Sequence, residues 1–385
     1  MEKTQVEKSL MWVHNMDVVK SVYIHIPFCE EICSYCDFCK MYYNKEFVTK
    51  YLSALKKEIV CNYKGDVVDT LYIGGGTPSC LDIDDLKELF SIIKLFNLSD
   101  SCEFTVECNF ENTSYEKLKL FYNNGVNRLS FGLETTDRKL LSLLERKFDK
   151  NKVLSTITDA KNIGISNINV DLMYALVGQN IDMLKEDLSF ILGLNVTHVS
   201  LYSLILEEHT KLFLKGVHNV SEEIDYKMYS LIHEVLSKNN YIHYEVSNYC
   251  LDGYQSLHNT NYWKNGTYYG FGLGSGGYVN NIRYQNTRSL FKYLEGDYLY
   301  NKEVIDNNIK MSYEMILGLR IKDGVSKDSF YCKYGCYPCD VFSYDDLIDN
   351  GFLIEDDKFL YIPYDKWYVM DNILLRFLEV NDGKE

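Results

Sequence analysis

Short runs of β-branched and aromatic residues alternate with segments of helical period through the first half of the chain. Each run is short enough for a buried strand, and each intervening segment repeats its apolar residues at helical spacing. The predicted strands cover 22–27, 67–74, 103–108, 127–134, 165–176 and 197–206, and the predicted helices cover 46–60, 81–96, 114–125, 137–147, 150–163 and 180–193. Six strands alternating with helices predict an α/β fold with a parallel sheet, either partly closed into a barrel or open and doubly wound.

The pattern changes after about residue 210. A predicted helix over 221–239 leads into an alternating run over 241–249, and a Gly, Asn and Tyr-rich stretch over 252–286 shows no helical period. The last part reads as helix, turn, helix, a short hairpin over 351–363 and a final helix, which is typical of a small winged-helix-like α+β module. We therefore divide the chain into a lead, a main α/β domain, a middle segment and a C-terminal domain, covering 1–21, 22–215, 216–300 and 301–385.

Composition narrows the class of protein without identifying it. Of the 385 residues, 46% are hydrophobic and 25% charged, as in ordinary globular proteins. No apolar run approaches the ~20 residues of a membrane-spanning helix, and the first residues lack the pattern of a secretory signal, so we expect a cytoplasmic protein. The formal net charge of −15 argues against a nucleic-acid partner, because phosphate binding needs clustered Lys and Arg.

Cysteines provide the clearest chemical signal. Cys29, Cys33 and Cys36 follow the first predicted strand directly. In a reducing compartment this spacing favours a metal centre over disulfides, and three thiolates would leave one iron of a [4Fe–4S] cluster without a protein ligand. Cys39 is either a fourth ligand, which would allow zinc or a fully ligated cluster, or a bystander. Redox-active thiols are the remaining alternative.

Two further motifs have both chemical and structural interpretations. The sequence Gly74-Gly75-Gly76-Thr77-Pro78 ends the second predicted strand, where its backbone could approach a carboxylate or phosphate or simply form a tight turn. Cys332, Cys336 and Cys339 repeat the spacing of the first triplet. We favour buried packing thiols over a second metal site there, because free Cys is among the most buried residue types.

The order of these motifs resembles the radical S-adenosylmethionine (SAM) superfamily. Within it, the chain is similar to the HemN/HemW branch of oxygen-independent coproporphyrinogen III dehydrogenases and related heme chaperones. The segments that carry this similarity are His25–Cys29, Tyr35–Phe38, Val126–Ser130, Asp171–Tyr174 and Leu201–Leu204, in addition to the glycine turn. The resemblance spans about residues 20–380 and implies a partial (β/α)6 barrel, a family-specific segment and a small C-terminal domain.

The resemblance also implies roles for individual residues. It implies that Cys29, Cys33 and Cys36 hold a [4Fe–4S] cluster. The residues implied at the SAM site, with His25 beside them, are Tyr23, Tyr35, Gly75, Gly76, Thr77, Glu107, Glu134, Arg146 and Asp171. Two positions depart from the family pattern, because Glu134 stands where Gln is usual and Gly276 where His is common.

Three features favour the heme chaperones of this branch over the dehydrogenases. The N-terminal lead is short, Phe38 stands where the dehydrogenases have their fourth Cys, and residues 258–263 read His-Asn-Thr-Asn-Tyr-Trp, which fits the HNxxYW motif of the chaperones. The resemblance then implies heme as cargo, His258 as a heme ligand and heme-accepting apoproteins as partners, such as those of the respiratory chain, and it allows a homodimer. A structural turn at His258, a dehydrogenase activity and a structural metal protein without a SAM site are the alternatives.

Overall fold

The structure, a computed structural model, describes residues 18–378, so most of the predicted lead over 1–21 lies outside the described residues. Its largest element is a nine-stranded sheet with the order β11-β1-β4-β5-β6-β7-β8-β10-β9, in which β11 is Tyr269–Phe271, β10 is Asn248–Cys250 and β9 is Ile242–Glu245. The six predicted strands form its parallel centre as β1 (Ser21–Ile26), β4 (Val67–Gly75), β5 (Asn97–Asn109), β6 (Arg128–Glu134), β7 (Asn167–Tyr174) and β8 (His198–Ser203). The two edge strands of the sheet do not pair with each other, so the barrel is partial, as the family resemblance implies.

The six predicted helices of this region are all present. They are α1 (Lys45–Asn62), α2 (Ile83–Ile93), α3 (Tyr115–Asn123), α4 (Arg138–Leu144), α5 (Lys150–Ile163) and α6 (Ile181–Leu194). Each begins at an Asn, Asp or Ser whose side chain accepts a hydrogen bond from a backbone N–H of the first turn. The helix α5 ends at Gly164, whose φ of 116° is the left-handed conformation that favours glycine.

The middle segment extends both edges of the sheet. The strand β11 (Tyr269–Phe271) pairs parallel with β1 at one edge, and the antiparallel strands β9 (Ile242–Glu245) and β10 (Asn248–Cys250) continue from β8 at the other. Two helices, α7 (Lys211–Leu214) and α8 (Glu222–Lys238), connect β8 to β9. The stretch over 252–286, which shows no helical period, contains the short helix α9 (Leu257–Trp263).

The helix α9 escapes detection because its stabilising contacts are not local. It has only seven residues, too few to show a period. Its first backbone N–H groups, those of Leu257 and His258, each donate to the Glu103 carboxylate at 3.0 Å, across about 155 positions of the chain. A carboxylate at a helix N-terminus satisfies donors that have no partner inside the helix.

The rest of the chain forms two small sheets. The strands β12 (Gly276–Val279), β13 (Ile282–Asn286) and β14 (Leu299–Val304) make an antiparallel sheet with α10 (Leu290–Leu294) beside it, so the predicted boundary at 301 falls inside β14. The C-terminal helices are α11 (Asn307–Gly318), α12 (Lys327–Tyr334), α13 (Pro338–Val341), α14 (Asp345–Asp349) and α15 (Met370–Leu374). They accompany β15 (Val325–Ser326), β16 (Ile354–Glu355) and β17 (Phe359–Tyr361), of which the last two form the predicted hairpin.

The hydrophobic core follows this division. One large cluster of buried side chains fills the space between the main sheet and its helices, and a second cluster from Met311 to Phe377 gives the C-terminal domain a core of its own. The backbone of the C-terminal domain meets the barrel at β9, where Lys322 N donates to Tyr244 O at 2.9 Å and Val246 N donates to Arg320 O at 3.0 Å. Within residues 18–378, no helix combines the length and apolar character that crossing a membrane requires.

Candidate functional site

The cysteine loop begins where β1 ends and is fixed by main-chain hydrogen bonds. Its base is the pairing of β2 (Phe28–Cys29) with β3 (Met41–Tyr42), in which Met41 N donates to Pro27 O at 2.7 Å and Tyr43 N donates to Cys29 O at 2.8 Å. Its middle is held by Ser34, which is fully buried and donates through N to Leu144 O and through Oγ to Leu143 O in α4. The loop is therefore held at both ends and at its centre.

The three predicted ligand thiols of this loop face a shared space. Burial above all, with smaller contributions from Cys36 and Cys33, raises the pKa of the Cys29 thiol to about 12. Burial likewise raises the pKa of Cys33 to about 11, while the nearby Arg146 opposes that rise. Among residues 18–378 no three His, Cys, Asp or Glu side chains gather closely enough to hold a single metal ion. Three thiols that influence one another's ionisation are the donor set that a [4Fe–4S] cluster with one open iron requires.

Cys39 belongs to a different environment. Its thiol interacts with Arg288 and Lys40, and it lies against Gly274, where a Cβ atom would stand 2.7 Å from the Cβ of Cys39. This placement favours the bystander interpretation of Cys39 over that of a fourth ligand.

The glycine turn at the end of β4 is packed too closely for side chains. A Cβ atom at Gly75, where φ is 114°, would stand 2.5 Å from the His25 ring, and a Cβ atom at Gly76 would stand 2.7 Å from Phe28 O. Backbone hydrogen bonds from Gly76 N and Thr77 N to β1 and β2 place the turn against the base of the cysteine loop. The Thr77 side chain also lies near the thiol of Cys29 and lowers its pKa. The turn and the thiols therefore belong to one site.

A buried ion pair forms another wall of the site. Glu134, in a left-handed backbone conformation at the end of β6, accepts from Arg146 Nε and Nη2 at 3.0 Å and from the Tyr35 hydroxyl at 2.8 Å. Arg146 also donates to Gly132 O at 2.8 Å, and its Nη1 lies 4.0 Å from Cys33 Sγ. The side chains of Glu134 and Arg146 are only 9% and 8% exposed. A carboxylate at position 134 thus has a cation to compensate it, which explains locally how Glu replaces the usual Gln.

Two more carboxylates face the interior of the barrel. Glu107 accepts from the Tyr72 hydroxyl at 2.8 Å and from Gly75 N at 2.9 Å, so it holds the glycine turn in place. Burial raises the pKa of Asp171 to about 7, and the charges of Glu134 and Glu107 contribute to that rise. These mutual influences place the three carboxylates around a common interior space. Tyr72, which sequence reasoning missed, has no recognisable motif around it.

Tyr23 and His25 lie on the same strand beneath the cysteine loop. The Tyr23 hydroxyl donates to His25 Nδ1 at 3.0 Å, and His25 Nε2 donates to Cys39 O at 2.6 Å. Burial lowers the pKa of His25 to about 4, so the ring is neutral near pH 7. The resulting chain of hydrogen bonds connects the barrel interior to the end of the cysteine loop.

His258 projects from α9 into the barrel from the side opposite the cysteine loop. It is 1% exposed and stacks on Tyr72 with 5.1 Å between the ring centroids. Its Nδ1 donates to Thr70 Oγ1 at 2.8 Å, because the Thr70 hydroxyl donates to Ser21, and its Nε2 accepts from the Tyr262 hydroxyl at 2.7 Å. Burial lowers the pKa of His258 to about 3. Both ring nitrogens of His258 are therefore engaged in hydrogen bonds. The motif itself forms a helix that closes the floor of the barrel.

The C-terminal cysteine triplet differs from what we expected. Cys332 and Cys339 are exposed, and only Cys336 is partly covered, with its Sγ 3.9 Å from Met311 Sδ. The expectation of three packing thiols is therefore wrong for two of them. Gly335, with a φ of 76°, ends α12 and breaks the helical spacing that would have aligned the triplet on one buried face.

Comparison with known proteins identifies a matching family model and similar chains. Residues 23–191 match the model of the radical SAM superfamily. The heme chaperone HemW of Lactococcus lactis is 37% identical over 93% of this chain and 97% of its own length, and that of Bacillus subtilis is 36% identical over 90% and 96%. The chain belongs to the HemW family. This confirms the branch of the superfamily that the motifs indicated.

A solved structure resembles this HemW-family chain in its fold. Coproporphyrinogen III oxidase (HemN) from Escherichia coli, described as a radical SAM enzyme, superposes with a TM-score of 0.83 over 97% of this chain and 93% of its own. The two share 18% sequence identity, so the likeness concerns the fold alone. It confirms the partial barrel with a C-terminal domain that the sequence indicated for this HemW-family chain.

Proposed function

We propose that this protein is a heme chaperone that carries a [4Fe–4S] cluster, binds SAM and delivers heme to apoproteins. Membership of the HemW family is the observation that carries this proposal, because its relatives named heme chaperones match almost the whole chain. The arrangement of the cysteine trio, the glycine turn and the Glu134–Arg146 pair on one side of the barrel supports the cluster and SAM parts of the proposal.

Cys29, Cys33 and Cys36 would hold the cluster. Their thiols must lose protons to bind iron, and the Arg146 guanidinium 4.0 Å from Cys33 Sγ favours the thiolate form there. A cluster with three protein ligands supplies an open iron and, when reduced, an electron for SAM. The residues of this chain exclude water, orient the ligand and adjust the charge around that iron.

SAM would lie between the glycine turn and the barrel interior. The close packing of Gly75 and Gly76 leaves backbone at the surface, where it can approach the methionyl end. Glu107 fixes the turn through Gly75 N, while Glu134 and Asp171 offer carboxylate oxygens to the hydroxyl groups of a ribose. Tyr35 presents its ring beside Glu134, where it can pack against the adenine.

On the basis of the HNxxYW motif, His258 is the proposed ligand of the heme iron. For that role Tyr262 has to release Nε2, since this atom accepts its hydrogen bond at 2.7 Å. The floor of the barrel also has to open, because His258 is 1% exposed. We therefore expect heme binding at His258 to require a rearrangement of α9.

The cluster and SAM parts are tested by anaerobic reconstitution. We expect about four irons per chain in the wild-type protein and in Cys39→Ser, and a much lower iron content in Cys33→Ser. Adding SAM should change the EPR signal of the reduced cluster if an open iron accepts it. A full cluster in Cys33→Ser, or a signal indifferent to SAM, would contradict these assignments.

The heme part is tested separately. Hemin titrated into the purified protein should give a Soret band that saturates at about one heme per chain. An oxygen-independent coproporphyrinogen III dehydrogenase is the competing function, since a HemN enzyme shares the fold. Stoichiometric protoporphyrinogen from coproporphyrinogen III, SAM and reductant under anaerobic conditions would overturn the chaperone proposal.

We further propose that the protein delivers heme in the cytoplasm to specific apoproteins. The twelve cysteines are all free, which fits the reducing cytoplasm. Apoproteins of the respiratory chain are the proposed recipients, and a homodimer is the proposed assembly. Transfer of heme from the loaded protein to purified apo-cytochromes, followed by absorbance, and sedimentation of the loaded protein test these points.

A further inference from the structure

A buried arginine at the start of β6 has no role in the proposed cluster and SAM sites. Arg128 is 1% exposed and is among the largest fully buried side chains of the protein. Within residues 18–378 its guanidinium forms no ion pair, whereas the buried Arg146 pairs with Glu134. Its Nε has no hydrogen-bond partner there either. Buried charges in proteins are normally paired and hydrogen-bonded, so an unpaired guanidinium points to a ligand that brings an acceptor.

A second unpartnered group lies beside Arg128. Thr105 on β5 is in register with Arg128 on β6. Both side chains lie on the interior face of the barrel, opposite to their neighbours Phe104 and Leu129, which belong to the hydrophobic core. Thr105 is fully buried, and among the described residues its Oγ1 also lacks a hydrogen-bond partner. Two neighbouring unpartnered polar groups therefore mark one place in the barrel where a polar ligand atom fits.

The register of the strands gives the depth of this place in the barrel. Tyr72 is in register with Thr105, so Tyr72, Thr105 and Arg128 form one layer of interior side chains. Glu107, which fixes the glycine turn, stands two positions further along β5 and belongs to the next layer towards the cysteine loop. On the other side of the layer, His258 stacks on Tyr72. Arg128 therefore lies between the proposed SAM site and the barrel floor.

The nearby carboxylates are already engaged by other donors. Glu107 accepts from the Tyr72 hydroxyl and from Gly75 N, and Glu103 accepts from the first two backbone N–H groups of α9. Burial raises the pKa of Glu107, and the charge of Arg128 opposes that rise without an ion pair between the two groups. Glu107 thus compensates part of the charge from a distance. The planar N–H groups of the guanidinium keep their capacity for a bidentate acceptor.

The interior around this layer is accessible to solvent. Tyr72, Glu107 and Asp171 face the interior and are only half-buried. Tyr202, which lies on the same face of β8 as the buried His198, is 44% exposed. The exposed Tyr202 stands near the end of β8, at the side of the barrel that carries the cysteine loop. A ligand that enters from this side can therefore extend a polar group towards the layer of Arg128.

A guanidinium next to a hydroxyl has the chemistry that recognises a carboxylate, which accepts two parallel N–H bonds. We propose that Arg128 and Thr105 bind a carboxylate of a ligand that enters the barrel, and that a propionate of a tetrapyrrole supplies it. This inference rests on the proposed heme-chaperone function and deepens it. His258 stays the proposed iron ligand, and Arg128 adds a contact to the periphery of the same molecule. The methionyl carboxylate of SAM is the competing source, and the test distinguishes the two.

The first test uses metal-free protoporphyrin IX, because a porphyrin without iron takes no axial ligand and reports on the ring and its carboxylates alone. Its binding to the full-length, cluster-loaded protein is followed by porphyrin fluorescence under anaerobic conditions. We expect Arg128→Gln to weaken this binding by about tenfold or more, because a charge-assisted hydrogen bond is lost. Binding of the dimethyl ester should not change. Arg138→Gln is the matched control, because Arg138 is exposed at the start of α4.

A stability measurement separates ligand binding from a structural role. Because Arg128 has no ion-pair partner within residues 18–378, Arg128→Met should leave the midpoint of thermal unfolding of the porphyrin-free protein unchanged. Protoporphyrin IX should then raise the midpoint of the wild-type protein more than that of the variant. Thr105→Val, which removes only the hydroxyl, should weaken porphyrin binding less than Arg128→Gln. A large fall of the midpoint in porphyrin-free Arg128→Met, with equal porphyrin stabilisation of both proteins, would assign Arg128 a structural role.

The outcomes separate this inference from the proposed function. If the wild-type protein binds hemin and protoporphyrin IX and Arg128→Gln binds both equally well, Arg128 is not the carboxylate site, while the proposed function stands. If Arg128→Gln instead loses the effect of SAM on the EPR signal of the reduced cluster, the carboxylate belongs to SAM and the propionate assignment is overturned. If the wild-type protein binds neither hemin nor protoporphyrin IX, the proposed function fails and this inference fails with it.

Discussion

The Glu134–Arg146 pair can be tested for its contribution to the stability of the site. In Glu134→Gln the two bonds from Arg146 lose their charged acceptor, and the Tyr35 hydroxyl, now 2.8 Å from an amide, has to reorient. Charge-assisted hydrogen bonds are worth ~1.5–3 kcal/mol and neutral ones ~0.5–1.5 kcal/mol. With two bonds affected, we expect the free energy of unfolding to fall by about 2–3 kcal/mol, below the ~3–5 kcal/mol of a pair broken outright because Gln keeps one acceptor.

A double-mutant cycle separates this pair from its surroundings. Arg146→Gln should destabilise the protein more than Glu134→Gln, because within residues 18–378 it leaves the buried Glu134 carboxylate with the Tyr35 hydroxyl as its one remaining side-chain donor. In the double variant we expect a coupling free energy of about 1–3 kcal/mol, measured by urea unfolding of the cluster-free protein. Additivity of the two single losses within ~0.5 kcal/mol would refute a direct interaction between these side chains.

Two further predictions concern the glycine turn and the interior carboxylates. Gly76→Ala should lower the midpoint of thermal unfolding and abolish the effect of SAM on the cluster, because its Cβ would stand 2.7 Å from Phe28 O. Gly193→Ala in α6 is the control and should leave both properties intact, because its Cβ would have no neighbour within 4 Å. Equal behaviour of the two variants would contradict the packing argument. Because burial raises the pKa of Asp171 from 3.8 to about 7, the folded state binds this proton more tightly than the unfolded chain, and its contribution to stability is lost as pH rises through that interval. Urea midpoints across this pH range should therefore depend less on pH in Asp171→Asn than in the wild-type protein, and parallel curves would exclude Asp171 as the source.

The cysteine loop and the central strands could be predicted because their signals are local. Three thiols within eight positions, next to an apolar run, specify both the strand and the loop that follows it. The alternation of strand and helix then dictates parallel pairing, since the crossovers leave little choice of topology. In the same way the hairpin near the C-terminus was visible from its own residues.

His258 shows where such reasoning ends. The HNxxYW motif around His258 is recognisable in the sequence. The helix that contains this motif, however, depends on the Glu103 carboxylate, and no local pattern connects Glu103 to the helix. The ring nitrogens are likewise satisfied by Thr70 on β4 and by Tyr262. Burial and hydrogen-bond partners set across the whole fold decide whether a histidine is available, and the sequence supplies only the residue type.

The contact between α8 and the C-terminal domain cannot be read from the sequence for a related reason. His233 and Tyr364 are separated by 131 positions, and each alone looks like an ordinary surface residue. Their 4.0 Å approach arises only when the C-terminal domain docks on β9. The two exposed cysteines of the C-terminal triplet illustrate the opposite case, in which a conspicuous spacing acquires no shared environment.

The hydrogen bonds that fix the cysteine loop have a consequence for how the protein survives exposure to oxygen. Because the pairing of β2 with β3 and the anchoring of Ser34 involve only the polypeptide, we expect the cysteine loop to keep its shape without iron. An iron–sulfur centre with an open iron is the part of such a molecule most easily destroyed by oxidation. We expect its loss to leave a folded, empty scaffold that the cell can refill, so that damage is repaired by new metal and sulfide and not by new synthesis of the chain.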